Sequence, residues 1–134
     1  DDSYNANPES MASALKTLGH MQPDGGRRVA ILGDMLELGD ISRAAHAALK
    51  GQIEKNGIDR VFLAGSEMQA LADCLDTSTL GGIAENAVGI LPMVLSGLQA
   101  GDVVTVKASN GIGLSRIVKT LTDPASLTRA ASGD

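Results

Sequence analysis

The chain has 134 residues, 43% of them hydrophobic, with a formal charge of −5, one Tyr, one Phe, no Trp and a single Cys. That is one domain's worth of chain, and its core must be built from Leu, Ile, Val, Ala and Met. The acidic balance argues against a nucleic-acid partner held by its phosphates, the missing aromatics remove stacking platforms for single strands, no apolar run approaches the roughly 18 residues of a membrane span, and the lone Cys74 excludes an intrachain disulfide and fits a reducing, cytoplasmic setting.

The chain opens on "DDSYNANPESMASAL". Pro8 suits the first position of a helix and Asn7 its cap, so a helix is expected to about Leu18. Gly19 and "PDGG" make a loop. "RRVAILGDM" follows, and its run Val29–Leu32, ended by Gly33, reads as a strand. Continuous rather than alternating apolarity points to a parallel sheet covered on both faces. After the loop "LELGDIS", a helix capped by Asp40 or Ser42 runs to about Asn56, where Gly57 stops it. "IDRVFLAG" is a second such strand, and Ser66 starts a helix to about Leu75. "DTSTLGG" is expected to hold at most a short edge strand. Glu85–Gln99 reads as a helix that Pro92 should kink or break. "GDVVTVKAS" is the third clear strand, "NGIGLSRIVKTL" the last helix, and residues 124–134 a flexible tail.

This alternation predicts an α/β domain over residues 1–123, a mostly parallel sheet flanked by helices in a dinucleotide-binding-like arrangement. Ligands of such sheets bind outside the carboxyl ends of the strands. The segments to watch are therefore "GDMLELGD", "AGSE", "KASNGIG" and the opening polar cluster. In "VTVKASNGIG" a strand delivers Lys107, and Ser109, Asn110, Gly111 and Gly113 turn the chain into a helix, a geometry that suits an anion. A plain strand-to-helix turn explains the same residues equally well. Neither GxxxxGK[ST] nor GxGxxG is present, since Arg116 stands at the third glycine position. Asp34, Glu37 and Asp40 share one loop. Mg²⁺ sites use such carboxylates, but a helix cap accounts for Asp40 and solvation for Glu37, and no metal ligands are expected here. His46 reads as a packed or exposed helix residue rather than a catalyst, His20 carries no signal, and the five Met residues read as core filler. In the opening cluster Asp2 could hold ribose hydroxyls, and Asn5 and Asn7 could bond a base edge or phosphate. A helix cap with a solvated end is the competing account.

Together "DDSYNANPESMASAL", "GDMLELG", "HAALKGQIEKNGIDRVFLAG" and "VKASNGIG" resemble, in order and spacing, the C-terminal domain of the Mur ligases over residues 1–122. Ala108 departs from the pattern, standing where glycine is usual. The resemblance implies a piece of a longer, three-domain, ATP-dependent amide ligase of peptidoglycan precursor synthesis. In such an enzyme ATP phosphorylates the terminal carboxylate of a UDP-N-acetylmuramoyl-tripeptide, and the amine of D-Ala-D-Ala attacks the acyl phosphate. It implies nucleotide contacts at Asp2, Tyr4, Asn5 and Asn7, with Asp2 on the ATP ribose. It implies substrate contacts at Lys107, Ser109 and Asn110, toward a carboxylate of the incoming peptide, and at Asp34 and Glu37, toward the dipeptide. The P-loop and the Mg²⁺ ligands would lie in a central domain absent from this chain. This chain is then expected to be monomeric, cytoplasmic and inactive alone, with no catalytic residue of its own. Two other readings stay open: a free-standing nucleotide-binding or regulatory module, and another Mur-type or folate-polyglutamate-type ligase.

Overall fold

The computed structural model describes residues 6–109 and Lys119. Four strands, β1 (Arg28–Gly33), β2 (Arg60–Ala64), β3 (Leu80–Ala84) and β4 (Val103–Lys107), form one sheet in the order β3-β2-β1-β4. Every pairing is parallel. The helices are α1 (Pro8–Gly19), α2 (Ser42–Lys55), α3 (Gln69–Ala72) and α4 (Ala87–Gly97). The expected α/β architecture is present, and "TLGG" does supply the edge strand β3. Of the expected last helix only Lys119 is described, and it is helical; the expected tail lies outside the described residues.

Alternation along the strands divides the apolar side chains between two cores. Ala30, Leu32, Val61 and Leu63 face Met11, Leu15 and Leu18 of α1, Leu49 and Ile53 of α2, and Met68 and Leu71 beside α3. Val29, Ile31, Phe62 and Ala64 face Ala87, Ile90 and Val94 of α4. The runs Val29–Leu32 and Val61–Ala64 are apolar without alternation because both faces are covered. The single Phe needs space that only small residues leave: a side chain at Gly81 or Gly97 would run into the Phe62 ring.

The start of α1 follows its local chemistry. Asn7 Oδ1 accepts from the Ser10 N–H at 2.8 Å, and Ser10 Oγ accepts from the Asn7 N–H at 3.0 Å, with Pro8 in the first turn. This reciprocal capping box fixes where the helix begins. Two other expectations are corrected. Neither Asp40 nor Ser42 caps α2 with its side chain; a 3₁₀ turn, Gly39–Ile41, leads into the helix instead, and the Ser42 hydroxyl donates to Glu67 at 2.6 Å. Nor does Pro92 break α4: the helix expected over Glu85–Gln99 is present as Ala87–Gly97 and continues through it. The carbonyl that Pro92 cannot serve belongs to Val88, which is 66% exposed, so water can take it and the usual penalty is softened.

The ends of the sheet are tied by a charge pair. The Asp102 carboxylate accepts from the Arg27 backbone N–H at 2.8 Å, from Arg27 Nε and Nη2 at 3.2 and 2.9 Å, and from the Gln99 N–H at 2.8 Å. Burial pushes the Asp102 carboxyl up, but the Arg27 side chain and the two backbone N–H groups outweigh it and hold it below its ordinary 3.8. A lowered folded-state value means that the stabilisation is present above the ordinary carboxylate range and is lost as pH falls through the lowered value. Asp102→Ala should therefore cost about 1–2 kcal/mol at pH 7, from a lost charge pair and a half-buried Arg27 N–H left without its acceptor. The difference from the unsubstituted chain should shrink toward pH 3. Urea denaturation at the two pH values measures both effects.

Candidate functional site

The chain order of the sheet defines a crevice. From β1 the chain moves outward through β2 to β3, then returns to place β4 on the other side of β1. The reversal lies between β1 and β4, and in open parallel sheets ligands bind at the carboxyl ends of the strands beside such a point. Leu32 pairs with Lys107 there, at the last rungs of the ladder.

Three distant pieces of chain meet at this point. The Ser109 N–H donates to the Asp34 carbonyl at 3.3 Å. Ser109 Oγ accepts from the Leu36 N–H at 3.4 Å and donates to the Ala6 carbonyl at 3.5 Å. These last two bonds are long and individually weak. Their value is positional, for one hydroxyl touches the loop after β1, the turn after β4 and the residue that follows the opening polar cluster. Lys107 is 4% exposed and Ala108 3%. Among the described residues only Glu37 combines a side chain with positive φ, at 62°. Ala108 therefore sits in ordinary backbone, and its methyl packs with the α4-side core. The departure from glycine is accommodated.

Asp34 holds the neighbouring loop together. Its carboxylate, on a residue 4% exposed, reaches across to the segment after β2. It accepts from the Glu67 N–H at 3.2 Å and the Met68 N–H at 3.0 Å, two N–H groups at the start of the 3₁₀ turn Ser66–Met68, of which the Met68 N–H also reaches the Gly65 carbonyl at 3.3 Å. Gly65, with φ 121°, lies directly beneath, where any Cβ would collide with the carboxylate. Burial raises the Asp34 carboxyl above its ordinary 3.8, the two N–H groups and His46 draw it back, and Glu67 adds to the rise. For a raised acid the favourable contribution is complete below the ordinary value and lost as pH rises through the folded value, the opposite sense to Asp102.

His46 is fully buried. Its Nε2 accepts from the Met35 N–H at 3.0 Å, and its Nδ1 lies 2.7 Å from the Ser42 carbonyl. An acceptor at Nε2 places the proton on Nδ1, which donates to that carbonyl. With Met35 and His46 held, Leu36 and Glu37 form the exposed tip of the loop.

The structure thus brings Asp34, Glu37, Lys107 and Ser109 to one end of the sheet, with Asn7 at the start of the adjoining helix. Asn7 Oδ1 is engaged in its cap, and the Asp34 carboxylate supports the loop from within, so the loop shows Leu36 and Glu37 to solvent at the crevice end and Gly39, Asp40 and Ile41 further along. Asp2, Tyr4, Asn5 and Asn110 lie outside the described residues. Sequence reasoning missed the reach of Asp34 to residues 67 and 68 and the anchoring bond of His46; the glycine at the end of β2 was the one available hint. Among the described residues no three His, Cys, Asp or Glu side chains are grouped to hold a metal, and no helix is long and apolar enough to cross a membrane. A groove of about 460 Å³ lies between the last turns of α1 and α2, beside Lys16, His20 and Lys55, and contains none of the expected site residues.

A family model described as "Mur ligase, glutamate ligase domain" matches residues 2–110. The chain belongs to the Mur ligase family. It is 33% identical over 128 residues to the UDP-N-acetylmuramoyl-tripeptide–D-alanyl-D-alanine ligase of Bacillus subtilis, a match covering 90% of this chain and 27% of that protein. The Escherichia coli protein of the same name is 33% identical over 126 residues, covering 90% and 26%. A crystal structure of MurF from Acinetobacter baumannii superposes with a TM-score of 0.74 at 25% identity, over 90% of this chain and 26% of that one. The Mur ligase domain described here therefore spans about a quarter of the length of these relatives.

The cradle around Asp34 makes a paired prediction. Gly65→Ala should destabilise the chain by about 3 kcal/mol or more, from backbone strain and collision with a buried carboxylate. Gly51→Ala, on an open face of α2 with nothing within 4 Å of the added methyl, should stabilise it by about 0.5–1 kcal/mol. Chemical denaturation of both variants is the measurement.

Proposed function

We propose that this chain is the C-terminal domain of an ATP-dependent ligase that joins D-alanyl-D-alanine to a UDP-N-acetylmuramoyl-tripeptide. The observation that carries the reading is the meeting of the three family segments at the sheet's reversal point: the end of the opening run at Ala6, the loop after β1 and the turn after β4, all touching Ser109. The names of relatives one-third identical along most of the chain supply the reaction.

In this reading the longer protein transfers the γ-phosphoryl group of ATP to the tripeptide's terminal carboxylate, releasing ADP. The amine of D-alanyl-D-alanine attacks the acyl carbon, the C–O bond to phosphate breaks, and the amide forms with loss of a proton. This domain contributes a wall rather than the phosphoryl-transfer machinery. Asp2 takes the ribose hydroxyls, and Asn5 and Asn7 border the nucleotide, Asn7 through its amide nitrogen because its oxygen serves the cap. Tyr4 lies near the phosphates or the peptide. Lys107, Ser109 and Asn110 meet a carboxylate of the incoming peptide; a cation shielded from water acts more strongly than one in solution. The tip of the β1 loop, Leu36 and Glu37, faces the dipeptide, with Asp34 supporting it. Mg²⁺ would assist phosphoryl transfer by neutralising charge, and in this reading its ligands come from the central domain of the longer protein. Closure of this wall over the other domains would keep water from the acyl phosphate.

The full-length protein should form the amide with D-alanyl-D-alanine in preference to single amino acids and release ADP in step with it. The 134-residue chain alone should release none. Ser109→Ala in the full-length protein should lower kcat/KM about tenfold. A coupled ADP-release assay with competing acceptors checks all three, and turnover by the isolated chain, or preference for a single amino acid, overturns the reading.

A further inference from the structure

The strongest unassigned device lies one layer beneath the β1 loop. Met35 is 1% exposed and His46 fully buried, and the Met35 N–H ends on His46 Nε2 at 3.0 Å. The imidazole is held in turn at Nδ1 by the Ser42 carbonyl at 2.7 Å, with the Ser42 hydroxyl 3.3 Å away. That hydroxyl donates to Glu67 at 2.6 Å, and the Glu67 N–H returns to the Asp34 carboxylate at 3.2 Å. Asp34 is the chain neighbour of Met35. The result is a closed ring through the end of β1, the start of α2 and the turn after β2. The next two residues, Leu36 and Glu37, leave this ring as the exposed tip, with Glu37 in the left-handed region at φ 62°. A non-glycine residue there is uncommon and requires its surroundings to hold it.

We propose that His46 is a positioning residue for the β1 loop: as the acceptor for Met35 N–H it fixes the height and direction of Leu36 and Glu37 at the crevice. It touches no substrate. This rests on the reading that the loop tip faces the dipeptide. A buried backbone N–H deprived of its only acceptor is costly to keep in place, so removing Nε2 should free the loop while leaving the sheet intact.

Two substitutions of similar polarity separate this role from a merely structural one. In His46→Asn the side-chain amide reaches only as far as Nδ1, so it keeps the donor to Ser42 and loses the acceptor for Met35. In His46→Gln the side-chain oxygen reaches the position of Nε2 and keeps that acceptor. In the full-length ligase His46→Asn should raise KM for D-alanyl-D-alanine about tenfold, with kcat at saturation and KM for ATP within about twofold. Amide exchange in the segment 34–38 should quicken as well. His46→Gln should restore both readouts to near those of the unsubstituted enzyme. Equal behaviour of the two variants, or unchanged exchange in His46→Asn, overturns the proposal. Faster exchange in His46→Asn without a change in dipeptide KM, together with unaltered KM in Leu36→Ala and Glu37→Ala, leaves the anchoring role standing and removes the dipeptide reading instead. Should neither His46 variant fold, amide exchange in the unsubstituted enzyme decides: the Met35 N–H should exchange at least about tenfold more slowly than the Glu37 N–H at the exposed tip, and equal rates overturn the proposal.

Discussion

The buried carboxylate of Asp34 ties the crevice edge of this domain together. It leaves the end of one strand and satisfies two backbone N–H groups at the start of the segment following the next strand. Withdrawing a carboxylate from water is unfavourable unless donors replace the lost hydration, and here the donors are the main chain of a neighbouring crossover. That single contact sets the spacing of the two loops that follow β1 and β2. It also dictates the residue beneath it, because only glycine leaves room for the carboxylate and accepts the backbone angle at position 65. With those two loops joined, the imidazole of His46 has a fixed target in Met35, and the turn after β4 has a firm surface on which Ser109 settles.

Much of the architecture was legible because its causes are local. Asn7, Pro8 and Ser10 place a helix start within four residues of one another, and a capping box needs nothing more. The runs Val29–Leu32 and Val61–Ala64 are apolar without alternation because both faces of the sheet are covered, and that pattern survives without knowledge of the neighbours. The candidate loops were likewise found by a rule about where parallel strands end, and Ala6, the β1 loop and Ser109, the parts of them that are described, meet at one end of the sheet. What escaped notice depends on partners far away in sequence. Asp34 caps residues 33 and 34 positions further on, and nothing in "GDMLELG" distinguishes a carboxylate turned inward from one facing water. Asp40 and Ser42 have the right chemistry for a cap, but the chain enters α2 through a tighter turn, and Ser42 spends its hydroxyl on Glu67. Pro92 was overridden by context, since the adjoining Ile90 and Val94 are both fully buried and hold the helix against the sheet.

The division of labour at this edge is consistent with a domain that completes a site instead of owning one. Its described polar side chains are largely turned to the protein itself: Asn7 to the helix start, Asp34 to backbone, His46 and Ser42 to one another and to neighbouring loops. What the β1 loop leaves outward is Leu36 and Glu37, with Gly39, Asp40 and Ile41 beyond them. Rigid support beneath a sparse surface suits a wall that must arrive in one geometry against groups supplied by another domain, where misplacement of about an ångström is enough to slow chemistry severely.

The seam at Ser109 joins residues 103 positions apart, and this has a consequence for how the domain comes into being. Because β4, the last of the described strands, pairs with the first, β1 must wait through three crossovers before its second neighbour emerges from the ribosome. Contacts of such separation form late and slowly. The crevice therefore does not exist in any nascent intermediate, however complete its β1–β3 half, and its two walls become one surface only when the final strand docks.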